Sequence, residues 1–190
     1  MRPPVLVLAL LAAAGAAAGA AEPPKPSGDI VLPAPSGPLA PTPEMEKLAF
    51  LLGTWKVSSK PDPKNAAAGV SGTDAITYGP GGYSFIGNFR GTGPSGTLRG
   101  HSILAWDPGG RRYLSVWTDN LTPGATLSWG HWEGQDLVFE ESPAKGETGT
   151  IRTVYFAIKP DRYEWRMERR LPDGRTERLA AMTYERSSGP

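Results

Sequence analysis

Cysteine is absent from all 190 residues, which excludes disulfides, thiolate chemistry and a lipid anchor attached through sulfur. Histidine is almost absent. His101 and His131 are the two present, and the only close spacing of metal-binding types around either is His131-Trp132-Glu133, whose outer members are too few for a site that normally needs three or four ligands. No metal site is expected. An excess of either charge is missing too: 20 Lys and Arg stand against 19 Asp and Glu, so nothing draws the chain to a polyphosphate and nucleic acid is not an expected partner. No apolar run reaches the roughly 20 residues that cross a bilayer, so no membrane span is expected. No internal repeat recurs at a fixed period.

What is present begins with an export signature. Arg2 precedes the apolar stretch Val5 to Ala14, and Ala18-Gly19-Ala20 has the small-x-small form that signal peptidase accepts. Residues 1–20 are therefore expected to be a signal peptide cut after Ala20, which makes the protein exported, periplasmic or secreted. Residues 21–43 form a Pro/Ala-rich linker expected to be disordered: ten of the chain's 20 prolines precede Glu44, and proline donates no backbone hydrogen bond. Residues 44–187 are read as one domain and 188–190 as a tail. Without disulfides that domain must be held by core packing.

Thr42-Pro43-Glu44 is a helix start, with a capping hydroxyl, a proline suited to the first turn and an acid at the positive end of the dipole. Met45, Leu48, Ala49 and Leu52 then share one face, and Gly53 ends a helix short enough to serve as a lid. Beyond it, apolar alternation is punctuated by hairpin chemistry at Gly79-Pro80-Gly81-Gly82, Asp107-Pro108-Gly109-Gly110, Glu133-Gly134-Gln135-Asp136, Lys159-Pro160-Asp161-Arg162 and Pro172-Asp173-Gly174. These turns leave about ten strands. Each pairs with its sequence neighbour, and a meander of that length hides its edges by closing on itself. The predicted fold class is all-β, a single up-and-down antiparallel barrel with a short N-terminal helix lid.

Turn chemistry also sets a provisional register. A two-residue turn at Pro160-Asp161 places Ile158 opposite Tyr163, Phe156 opposite Trp165 and Val154 opposite Met167, with the apolar side inside and Tyr155 outside. Carried across the Pro172-Asp173-Gly174 turn, the same parity turns Ala180, Met182 and Tyr184 inward. A tight turn after Asp107 places Gly100 opposite Trp117, where a missing side chain makes room for the ring, and Asp119 shares that face. Beyond Pro123 a bulge would exchange the Trp129/His131 face with the Gly130/Trp132 face, so His131 has no assigned side.

Leu51-Leu52-Gly53-Thr54-Trp55 resembles the Gly-x-Trp opening of the calycin superfamily of lipocalin-like barrels. His101-Ser102-Ile103-Leu104-Ala105-Trp106-Asp107-Pro108, then Arg112-Tyr113, Trp117-Thr118-Asp119, Trp132-Glu133-Gly134 and Met182-Thr183-Tyr184 are similar, in order and spacing, to the bacterial family called domain of unknown function 1579. The likeness covers Met45 to Arg186, with Trp106 where tyrosine is expected before Asp107-Pro108. It implies the barrel and supplies no reaction. With an even number of strands the last returns beside the first, and the inner-face parity of Met182 and Tyr184 carries the Arg186 guanidinium over the Trp55 indole, which with Gly53 makes an implied structural trio. The nitrobindin-like haem barrels open in the same way, but Lys56 to Pro61 lacks their glycine-rich run and tyrosine, and no histidine follows His131. Haem, like any other cofactor, is not expected.

No catalytic residue emerges. Gly82-Tyr83-Ser84 and Gly93-Pro94-Ser95 break the nucleophile-elbow pattern, and Glu140-Glu141 point to opposite faces of a strand. Gly91 to Gly96 precedes no helix, so it is a hairpin tip and not a phosphate loop. The inward set has more content. Gly100, Trp117, Asp119, Phe156, Trp165, Met167, Met182 and Tyr184 are the candidate ligand contacts, since a ten-strand barrel is wider than the eight-strand size that side chains just fill. The leading expectation is non-catalytic binding of a small, largely apolar ligand, admitted past the Gly91 to Gly96 tip. The alternatives are an envelope interaction module that uses its outer surface with an unknown protein partner, and an enzyme whose acid is Asp119, its pKa raised by desolvation beside Trp117.

Overall fold

The computed structural model describes residues 40–59, 69–94, 96–141 and 148–187. The expected signal peptide, the linker up to residue 39, the tail, Ser95 of the glycine-rich tip and Lys60-Pro61 of the first-strand comparison lie outside the described residues.

Helix α1 (Pro43–Lys47) starts as its sequence dictates: the Thr42 hydroxyl accepts the Met45 N–H at 3.3 Å, and Glu44 and Glu46 sit in the first turn. A single 3₁₀ turn, Ala49–Leu51, completes the lid. Met45, Leu48 and Leu51 are fully buried beneath it. The strands follow as β1 (Gly53–Ser58), β2 (Ser71–Tyr78), β3 (Ser84–Gly93), β4 (Gly96–Asp107) and β5 (Arg112–Asp119). Then come β6 (Thr126–Glu133), β7 (Asp136–Glu141), β8 (Thr150–Phe156), β9 (Arg162–Arg170) and β10 (Thr176–Arg186). Each pairs antiparallel with its sequence neighbour, and β1 also pairs with β10, so the described residues form a closed ten-strand barrel. Closure leaves no ladder edge among the described strands to template another chain.

Two registers differ in detail from the sequence expectation, and β6, which the sequence left without an assigned side, is placed. The loop after Asp107 holds four residues, with Asp107 opposite Arg112, so Gly100 faces Asp119 and Ser102 faces Trp117. The offset is two residues, and every side chain keeps its face. At the next site the parity changes. The Pro160-Asp161 turn forms as predicted, with the Lys159 N–H on the Arg162 carbonyl at 2.8 Å, but Ala157 takes a positive φ of 49° and a residue bulges out. Phe156 then faces Glu164, Tyr155 faces Trp165 and Thr153 faces Met167. The inner side of β8 is Ile151, Thr153 and Tyr155, and Phe156 is outside under the Arg166 guanidinium, 4.6 Å from its ring centroid. In β6, Trp132 packs against the core, whereas His131 is exposed on the outer face.

Candidate ligand-binding cavity

One end of the barrel is solid. The Tyr163 ring stacks on Tyr184 at 4.5 Å and meets Trp55 edge-on at 4.8 Å, while Phe50 of the 3₁₀ turn closes over Tyr163 at 5.8 Å. Tyr113 ties the lid to the wall by donating to the Glu44 carbonyl at 3.0 Å. Above this aromatic floor the interior opens into a cavity of about 450 Å³, bounded at the far end by Asp119, Thr122 and Thr126. That volume falls in the range of small-molecule sites.

Six of the sequence-predicted contacts line it: Trp117, Asp119, Trp165, Met167, Met182 and Tyr184. Two do not. Phe156 is turned outward by the Ala157 bulge. Gly100 contributes by what it lacks, because a Cβ there would run into the Trp117 ring even though its direct partner is Asp119.

Asp119 is not the raised acid that the sequence suggested. Desolvation is the largest influence and raises it. Against it act hydrogen bonds from the Leu121 N–H, the Trp117 indole and the Thr122 N–H, at 2.7, 2.8 and 2.8 Å, which together hold the carboxyl below its ordinary range. It caps a turn at the mouth and orients Trp117.

The carboxyl with a raised pKa is Asp74, which sequence reasoning missed. It lies on β2 opposite Trp55 and Phe89, is only 9% exposed, and lines the cavity. Burial, partly offset by the Asn88 backbone N–H, pushes its pKa from 3.8 up to about 6. Its Oδ1 has no hydrogen-bond partner among the described residues. The available signal was parity: Ile76 is an inward strand residue, and Asp74 sits two positions before it. Around it burial raises the phenols of Tyr155, Tyr163 and Tyr184, and the charge of Asp74 raises all three further. Asp74, Asp119 and Glu141 are the ionisable acids on the cavity wall, and among the described residues no Lys, Arg or His lines it.

At the closed end the implied trio is assembled. The Arg186 guanidinium lies 4.2 Å from the Trp55 ring centroid, inside the roughly 6 Å over which a cation and an aromatic face attract. It also donates to the carbonyls of Leu52, Phe50 and Pro160 at 2.6, 3.2 and 2.8 Å. Gly53 has φ of 118°, and a Cβ there would strike the same guanidinium, so both conformation and space require glycine. The two histidines are elsewhere: His101 shares a hydrogen bond with Asn88 at 2.8 Å and His131 with Glu133 at 3.1 Å, both exposed.

A closed up-and-down barrel, plugged by a helix at one end and hollow above an aromatic floor, is a lipocalin-like fold. Residues 40–186 match the family described as Protein of unknown function (DUF1579), and the chain belongs to it. Among solved structures it is similar to the crystal structure of Rv2717c from M. tuberculosis, at 14% identity and a TM-score of 0.52, over 78% of this chain and 99% of that one. It is also similar to the S-type phycobiliprotein lyase CPES from Guillardia theta, at 13% identity and a TM-score of 0.47, over 76% of this chain and 93% of that one. The first likeness is one of fold. No curated protein matches the chain in sequence.

Proposed function

We propose that this protein is a non-catalytic binder of a small, largely apolar ligand held inside the barrel. The observation that carries the reading is the cavity of about 450 Å³ walled by Phe89, Trp117, Trp165, Met167 and Met182. Protein interiors are otherwise close-packed, and an apolar void of that size forfeits dispersion contacts unless a guest supplies them. Native mass spectrometry of the purified protein, followed by thermal shift against apolar compounds, tests this. A retained molecule or a saturable rise in Tm supports it; a bare mass with no shift from any compound removes it. The Arg2 to Ala20 segment supports a site of action outside the cytoplasm, and an N-terminus still at Met1 in protein recovered from the extracytoplasmic fraction would count against that.

A second reading, a surface that docks a protein partner, is favoured by one feature. Ile86, Ile103, Val116 and Leu127 stand in register on the outer face of β3 to β6, with Ile103 and Leu127 46% and 53% exposed. Ile103→Asp would abolish a partner's binding under this reading and leave cavity binding unchanged.

A further inference from the structure

We infer that the cavity takes an organic cation, a small amine whose ammonium lies against Asp74 and whose hydrocarbon lies along Phe89, Trp117 and Trp165. The inference rests on the cavity being a ligand site and narrows the chemistry of the ligand. Three observations carry it. First, an aspartate is nine-tenths buried on the cavity wall with Oδ1 unpaired among the described residues, and a buried acceptor without a donor is costly unless a ligand brings one. Second, Asp74 and Asp119 stand on the wall and, among the described residues, no Lys, Arg or His lines it, so an anion such as a fatty acid meets no cationic partner there and a positive guest is favoured. Third, the faces of aromatic rings attract an ammonium group, and the rings of Phe89, Trp117, Tyr155 and Trp165 are among those that share the wall with Asp74.

A Cβ at Gly87 would fall on the Ser102 hydroxyl and lie 3.5 Å from Asp74 Oδ1, so glycine there makes room for that hydroxyl near the carboxylate. The titratable groups that face Asp74 are Tyr155, Tyr163 and Tyr184 from β8, β9 and β10, with Asp119 and Glu141 nearer the mouth. The phenols stay neutral across the physiological range and can accept from the bound ammonium as well. An amine with a pKa well above neutrality stays charged while Asp74 titrates, and so binds more tightly above about pH 6 than below it.

The test uses three probes of one skeleton, naphthylmethylamine, naphthylmethanol and naphthoic acid, titrated calorimetrically into the full chain and into Asp74→Asn. The wild type is expected to bind the amine at least about tenfold more tightly than the acid, with the alcohol between. Asp74→Asn brings the three to within about threefold, and in the wild type the amine alone weakens as pH falls from about 7.5 to about 5. Equal binding of all three, tighter binding of the acid, or an amine preference that survives Asp74→Asn overturns the cation inference and leaves the cavity reading intact. Failure of every probe, together with no thermal shift from any apolar compound, removes both.

Discussion

Arg186 on the last strand covers the indole face of Trp55 on the first, 4.2 Å from its centroid, and the same guanidinium takes carbonyls from Leu52, Phe50 and Pro160. One side chain thus binds the lid, the seam between β1 and β10, and the β8–β9 turn. Its outer edge is in solvent, so its charge is partly screened and the fixed fork of donors matters more than the net charge. Arg186→Ala is expected to cost about 1–3 kcal/mol in urea unfolding, and Arg186→Lys to recover less than half of that. A lysine variant as stable as the wild type would show that charge alone suffices.

Asp74 predicts a stability that depends on pH in the unusual direction for a carboxylate. Its folded pKa of about 6 exceeds the ordinary 3.8, so the folded chain holds this proton more tightly than the unfolded chain does. The resulting penalty is absent below about 3.8 and fully present above about 6. Asp74→Asn, which removes the ionisation, is expected to stabilise the empty protein by up to about 3 kcal/mol near pH 7.5 and to lose that advantage near pH 4. Paired denaturant unfolding of the two proteins across that range measures it. An advantage that stays constant with pH would mean Asp74 ionises normally.

Much of this architecture could be read from the chain. Hairpin turns and alternation suffice for the closed meander, because strand number and neighbour pairing follow from local chemistry. Inner faces survived a wrong loop length at Asp107, since two added residues preserve parity. They did not survive Ala157. A positive φ at a non-glycine residue has no sequence signal, and the one-residue bulge it permits exchanges Phe156 for Tyr155 on the wall. Asp74 was hidden for a different reason. Patterns seek apolar residues inside, and a buried carboxylate breaks the rule by which the inside is found.

Gly100 offers a packing test. A methyl group there meets the Trp117 ring, which is held from the other side by Phe89 at 6.3 Å and by its hydrogen bond to Asp119. Gly100→Ala is expected to lose about 1–3 kcal/mol and to shift tryptophan emission as the indole is displaced toward the mouth. Unchanged stability and emission together would mean that the ring has free room to move, and Trp117 would not be a fixed wall of the cavity.

The bulge at Ala157 makes the last prediction, which separates the two faces of β8. Tyr155 lines the cavity, and its raised phenol belongs to the group around Asp74, whereas Phe156 lies outside under Arg166. Tyr155→Phe keeps the ring and removes one acceptor, so it is expected to weaken naphthylmethylamine binding about three- to tenfold while leaving naphthylmethanol within about twofold. Phe156→Leu removes an outer-face contact between a cation and a ring, and should cost about 0.5–1 kcal/mol of stability with no change in either affinity. The inverse result, with Phe156→Leu affecting binding and Tyr155→Phe silent, would restore the unbulged register in which Phe156 points inward.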